Sequence, residues 1–301
     1  MTTIAMGNIN PVLGNQCPAA PVPANAQDLP IQIVEVGEEG PVVMFVHGGV
    51  QGGIGGGPPN FDGQKPLADK GWHLKFLARP GFGDSPSRGP DDMEADADLI
   101  ASVMGDTVHL LGHSFGGGSA MLAAALRPEA VRSLILVEPA LQMMLSTDPE
   151  AAADPASREA ADIIMKSLQL ADTPANYAIA FLGSLGSDLK GDDNYIAAQL
   201  KADPVYATML GCSLLRARMA SPQDLRAAAD TIVAAGIPVL VITGGYSPGQ
   251  EATGRAVARL TGGRHIVVSA PSHFLQQDCP AAFNDAVDAF LREVTDSSRH
   301  N

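Results

Sequence analysis

The amino-acid sequence predicts an α/β fold built on a mostly parallel, doubly wound sheet. Nearly continuous apolar runs of strand length recur at Pro41–Val46, Val108–Leu111, Ser133–Val137 and Pro238–Thr243, as expected of strands buried on both faces. Segments with helical spacing alternate with them, which favours parallel strands joined by helical crossovers. The run at Val108 also leads through Gly112-His113-Ser114-Phe115-Gly116 directly into an alanine-rich helical pattern, Ser119–Leu126. Strand, sharp turn and helix is the context in which Gly-x-Ser-x-Gly presents a nucleophile.

Composition narrows the function classes. The chain has 301 residues, 46% hydrophobic and 17% charged, the balance of a folded globular protein. Its apolar runs are far shorter than the ~20 residues of a membrane span. A formal charge of −14 disfavours nucleic acid and anionic membrane surfaces as partners, since both reward basic patches. Cys17, Cys212 and Cys279 are odd in number and far apart; they suit a reducing compartment and suggest neither a disulfide framework nor a zinc site. Residues 1–30 lack both Lys and Arg and a continuous apolar core, so they do not read as a signal peptide. They read as an irregular surface arm, and a cytoplasmic location follows by default.

Taken in order, Ile31–Val36 alternates as an edge strand and Pro41–Val46 is a buried one. A glycine-dense loop follows His47-Gly48-Gly49-Val50. Its Gly53-x-Gly55 opens like a dinucleotide fingerprint, but Pro58 stands at the last glycine position and no Gly-Lys-Ser/Thr follows, so neither nucleotide motif is met. Residues 60–70 read as a short helix ended by Gly71, and Trp72–Ala78 as a strand. Asp91–Met104 is helical, with acids at its start and Gly105 as the stop. After the Ser133–Val137 strand the pattern changes: from 140 to 221 strand runs vanish and helical periodicity covers roughly 155–170, 173–186 and 194–218. Residues 222–236 (helix), 238–243 (strand), 249–260 (helix), 265–269 (strand) and 283–294 (amphipathic helix) complete the chain. The expected organisation is therefore an arm (1–30), a core (31–140 and 222–295) and a helical cap (141–221) inserted after the Ser133–Val137 strand.

Four motifs in this order resemble the α/β-hydrolases over residues 31–295. His47-Gly48-Gly49 is similar to that family's oxyanion loop after the third strand. Arg79-Pro80-Gly81-Phe82-Gly83-Asp84-Ser85 is similar to the turn after the fourth, and Gly112–Gly116 matches the elbow. Pro271-Ser272-His273-Phe274 follows the last strand, where the family keeps its catalytic histidine. The resemblance implies Ser114 as nucleophile and His273 as its base, since a serine hydroxyl needs a base within hydrogen-bond reach. His47, His73, His109, His113 and His265 compete less well, lying in the oxyanion motif, the elbow or strands.

The acid departs from the common pattern. Ser247 stands in the Gly244-Gly245-Tyr246-Ser247-Pro248 loop where most relatives place an Asp. Glu138, at the carboxyl end of the sixth strand, takes the alternative position; a carboxylate there is costly unless paired. Glu251 is the second choice. The backbone amides of Phe115 and Gly49, or Val50 if the loop is shifted, form the expected oxyanion hole. Arg79 and Asp84 read as structural turn residues.

The implied function is a serine hydrolase that cleaves a carboxylic ester or lactone through an acyl-enzyme, with no cofactor or metal. The alternatives are hydrolysis of a carbon–carbon bond in a β-diketone or ring-fission product, amide hydrolysis, and a non-catalytic ligand receptor. A serine nucleophile argues against haloalkane dehalogenase and epoxide hydrolase chemistry, which use Asp at this point. Met143, Met144, Met165, Met209 and Met219 in the helical segment read mainly as core. The substrate is a small ester-like molecule, and the oligomeric state is left open.

Overall fold

The computed structural model describes residues 4–19, 22, 25, 29–53, 56–155, 157, 167–185 and 195–298. Its strands are β1 (Ile4–Ala5), β2 (Ile33–Val36), β3 (Val42–Val46), β4 (His73–Leu77), β5 (Val108–His113), β6 (Val131–Val137), β7 (Arg218–Met219), β8 (Val239–Thr243) and β9 (Arg264–Val267). Seven of them form one sheet in the order β2-β4-β3-β5-β6-β8-β9. Only β2, at the edge, runs antiparallel to its neighbour; the pairs inward of β4 are all parallel. The doubly wound α/β sheet is thus present in the protein.

Strand alternation divides the apolar runs between two cores. Met44, Val46, Leu110, Leu134, Leu136 and Val241 face one layer of helices. Val43, Phe45, Leu111, Ile135, Leu240 and Ile242 face the other, where Phe61, Phe283, Val287 and Leu291 cover them. Burial on both faces is the physical reason that these strands read as continuous apolar runs.

Between β6 and β8 the described elements are helices apart from β7: a 3-10 helix at Gln142–Thr147 and α-helices that include Pro149–Ala153, Pro174–Gly183, Tyr195–Ala202, Pro204–Arg216 and, after β7, Pro222–Ala234. The periodic stretch 194–218 is two helices. Asp203 caps the second, its side chain accepting from Tyr206 N–H, with Pro204 in the first turn. Proline offers no N–H to continue the preceding helix, but suits the start of the next. The chain then leaves the helix for β7 (Arg218–Met219), which takes Arg218 out of the predicted helix. Most of 155–170, Met165 included, lies outside the described residues.

The arm and the cysteines differ from expectation. Residues 4–14 form β1 and two short helices, Met6–Ile9 and Pro11–Gly14. β1 pairs with β7, and Leu13 is fully buried in the apolar cluster of the inserted helices, beside Leu168, Tyr177, Leu210 and Leu214. Asn10 and Gln16 side chains donate to the carbonyls of Leu168 and Asp172. Cys17 is disulfide-bonded to Cys212, with Cα atoms 5.3 Å apart across a separation of 195 residues. Cys279 is free. Spacing could not show this pairing, because the two cysteines meet only when the arm folds back on the inserted helices. The bridge removes the cysteine-based argument for a reducing compartment.

Candidate active site

The carboxyl ends of the central strands carry the residues singled out in the sequence. β5 and β6 pair His113 with Val137, so the next residues, Ser114 and Glu138, leave the sheet side by side. β6 and β8 pair Val137 with Ile242, which brings the Gly244–Tyr246 loop to Glu138. Ser114 N–H donates to Val137 O, and Glu138 N–H to Ile242 O, both at 2.9 Å.

Ser114 has φ 55° and ψ −123°. Glycine is required around this turn: a Cβ on Gly112 would lie 2.5 Å from the Gly116 carbonyl oxygen, and one on Gly116 would lie 2.6 Å from that of Val46. Glu138 has φ 44°, and among the described residues it and Ser114 are the only non-glycines with positive φ. Such conformations cost of order 1–3 kcal/mol each and gather at functional sites.

Glu138 and His273 are both buried. His273 Nδ1 lies 3.3 Å from Glu138 Oε2, and Glu138 Oε1 accepts the Gly244 N–H at 2.6 Å. His273 Nε2 is buried and has no hydrogen-bond partner among the described residues, the Ser114 hydroxyl included. Burial pushes Glu138 up to about 8, opposed by the Gly244 N–H. It pulls His273 down to about 4. Both displacements express one fact, that a dry site disfavours either charged form.

The loop that carries His273 is fixed from three sides. His273 N–H donates to Leu185 O at 2.7 Å, tying the loop to the inserted helices. His273 O meets His113 Nε2 at 2.9 Å. His113 Nδ1 in turn lies 3.3 Å from the Asn60 amide nitrogen, so His113 holds its proton on Nε2. Asn60 Oδ1 is held by the amides of Gln276 and Gln277. The locking of His113 was legible from the motif; the buttressing by Asn60, 53 residues away in sequence, was not.

Arg79 does more than shape its turn. It is fully buried, donating from Nε to His47 O at 3.0 Å and from Nη2 to Gly48 O and Gly49 O at 3.2 and 2.9 Å. Asp91 and Asp96 pair with Nη1 at 2.9 and 2.7 Å. Phe82 and Phe115 stack on the guanidinium, each 4.7 Å away. Since N–H and C=O oppose each other in a trans peptide, carbonyls drawn to Arg79 turn the Gly49 and Val50 N–H groups away from it. Gly49 itself has φ 80°. Phe115 opens the elbow helix, so its N–H has no acceptor within that helix. His47 accepts the Arg79 N–H on Nε2 and donates from Nδ1 to Gly48 O. Burial, then the Arg79 charge, holds it well below the usual histidine range. Asp84 takes a surface role, accepting from the Gln32 amide.

The remaining residues fall elsewhere. Glu251 accepts the Gly245 N–H at 3.0 Å and faces His265 at 3.7 Å, and it is Glu138 that the fold sets against His273. Ser247, where an Asp was expected, caps the helix Pro248–Thr261, its hydroxyl accepting from Gln250 N–H. Met144 is buried in the sheet core and Met143 and Met219 pack against it. Met209 is 45% exposed, on the helix whose Tyr206 hydroxyl donates to Gly52 O. No group of three His, Cys, Asp or Glu among the described residues could hold a metal ion, and no helix among them is long and apolar enough to cross a membrane.

Residues 43–286 match the model of the alpha/beta hydrolase family. The chain belongs to that family. A pimeloyl-[acyl-carrier protein] methyl ester esterase from Neisseria meningitidis serogroup B (strain H44/76) is 29% identical over 250 residues, covering 77% of this chain and 89% of that protein. Its serogroup C counterpart is 37% identical over 97 residues, 32% of this chain. There the alignment spans only 38% of the relative's length. Among solved hydrolase-fold structures, a haloalkane dehalogenase variant from Bradyrhizobium elkanii superposes with a TM-score of 0.62 at 19% identity, covering 90% of this chain and 95% of that one. At that identity the likeness is one of fold.

Proposed function

We propose that this alpha/beta hydrolase is a serine hydrolase that cleaves a carboxylic ester, open-chain or cyclic, through an acyl-enzyme. The observation that carries the reading is the conjunction at the sheet's carboxyl edge. Ser114 stands on a strained elbow, and a histidine anchored to Glu138 through Nδ1 leaves its buried Nε2 unpartnered. An imidazole held in this way has its free nitrogen available as a base.

Ser114 Oγ attacks the ester carbonyl carbon while His273 Nε2 takes the hydroxyl proton. The Phe115 and Gly49 amides, with Val50 beside them, receive the oxyanion. Collapse breaks the bond to the alkoxy oxygen, which leaves with the proton from Nε2. Water then gives a proton to Nε2 and attacks the acyl carbon, and the carboxylic acid departs as Ser114 recovers its proton. Glu138 orients the imidazole and balances its transient charge.

The helices of 141–221, bonded to the base loop through Leu185, serve in this reading as the cap over the core of 31–140 and 222–295. The relatives named as methyl ester esterases make methyl esters of acyl chains the first substrates to try. Short p-nitrophenyl esters and acyl methyl esters assayed with wild type and Ser114→Ala test the proposal. Turnover that depends on Ser114 supports it, and turnover that survives the substitution refutes it.

A further inference from the structure

We propose that Tyr246 is a positioning residue for this site: its hydroxyl donates to the Glu138 carboxylate and thereby holds His273 in the tautomer with its proton on Nδ1. The inference rests on the serine-hydrolase reading above and adds a residue that no triad requires. Tyr246 occupies the loop after β8, and its side chain lies against that of Glu138. Its hydroxyl oxygen is 3.4 Å from His273 Nδ1, the nitrogen that is itself 3.3 Å from Glu138 Oε2, so one hydroxyl proton has two acceptors beside it.

Its direction decides whether the site works. Donated to Nδ1, it would leave the imidazole proton on Nε2, and His273 could not accept the proton of Ser114. Donated to Glu138, it leaves Nδ1–H to point at Oε2, 3.3 Å away, and Nε2 free. An ionised carboxylate is the stronger acceptor, so the second arrangement prevails whenever Glu138 is charged. Behind the phenol lies the Gln250 side chain, which accepts from Gln142 Nε2 at 3.2 Å. In the proposed arrangement a chain of side chains runs from Gln142, where the chain leaves β6 for the inserted helices, through Gln250 and Tyr246 to Glu138. With Gly244 N–H and His273 Nδ1–H, Tyr246 brings the donors on this buried carboxylate to three.

The other charged groups facing Glu138 are Glu251, which opposes its ionisation, and His265, which favours it. Neither touches His273. Burial, then the Glu138 charge, holds the Tyr246 phenol far above its usual range, so it remains a donor at working pH.

The test compares kcat/KM for a p-nitrophenyl ester from about pH 6 to 9.5 in wild type, Tyr246→Phe and Ser114→Ala. Loss of a hydrogen bond to a charged group predicts a deficit of about ten- to a hundredfold for Tyr246→Phe at pH 7. The deficit should shrink as pH rises, because Glu138 then ionises without help and the rising limb of the profile moves to higher pH. An equal deficit at every pH, or none, would overturn the proposal by leaving Tyr246 a purely structural role. Ser114→Ala separates the two readings: if it remains active the serine mechanism fails, whereas an inactive Ser114→Ala beside an unshifted Tyr246→Phe refutes only the tyrosine. Should Tyr246→Phe not fold, Gln250→Leu decides, with a smaller alkaline shift expected and an unshifted profile contradicting the proposal.

Discussion

Glu138→Gln should make the protein more stable and nearly inactive, and the stability gain should depend on pH. Glutamine keeps an oxygen for the Gly244 N–H but cannot ionise. In the wild type, burial displaces the Glu138 carboxyl from 4.5 to about 8. The folded state therefore keeps a proton that the unfolded state gives up as pH rises above 4.5, so wild-type stability falls with pH across that window. At about 1.36 kcal/mol per unit, the full displacement corresponds to roughly 3–5 kcal/mol. His273, displaced in the opposite sense to about 4, costs stability as pH falls below its unfolded value, but it does so in both proteins and cancels. Urea unfolding followed through Trp72, the sole tryptophan and a buried one, measures the difference directly. The advantage of Glu138→Gln should be negligible near pH 4.5 and approach roughly 3–5 kcal/mol near pH 8.5, while kcat falls about 10³–10⁴-fold. A difference that does not change with pH, or a variant less stable than wild type at pH 8.5, would refute the reasoning.

Three further outcomes are expected. The rising limb of kcat/KM against pH should carry an apparent pKa near 8, belonging to the Glu138–His273 pair; a limb already flat by pH 7 would mean that Glu138 is ionised in the free enzyme. Arg79→Lys keeps one charge for Asp91 and Asp96 but cannot grip three carbonyls at once. It should lower kcat about ten- to a hundredfold with little change in KM, and an unchanged kcat would show that Arg79 does not set the oxyanion loop. Cys17→Ser with Cys212→Ser should cost about 2–4 kcal/mol and expose the arm to limited proteolysis. Under reducing conditions the wild type should behave the same way, and equal melting of all forms would contradict the strapping role of the bridge.

The sequence made the sheet legible because the strands of a doubly wound fold are buried on both faces and announce themselves as apolar runs. The elbow was legible because its glycines are dictated by contacts within a few residues. Glu138 could be picked out because an acid closing a buried strand is costly unless paired. What escaped depends on contacts between distant segments. Asn60 meets His113, and Tyr246 meets His273, only once β5, β6 and β8 lie in register; locally Asn60 only opens a short helix and Tyr246 only stands in a loop. Cys17 and Cys212 look unrelated until the arm packs on the inserted helices. The break at Asp203–Pro204 was visible as a cap and a proline, but the apolar spacing on either side hid it. Arg79 was read as a turn residue because its partners are backbone carbonyls of another loop, which carry no signature in sequence.

The central claim is that Ser114 forms a covalent acyl intermediate with His273 as its base. A fluorophosphonate, which captures an activated serine irreversibly, tests this most directly when the labelled protein is mapped by peptide mass spectrometry. The account predicts one equivalent of adduct on Ser114, abolished in Ser114→Ala and strongly slowed in His273→Gln. An adduct on another residue, or ester turnover that continues undiminished without labelling of Ser114, would contradict it.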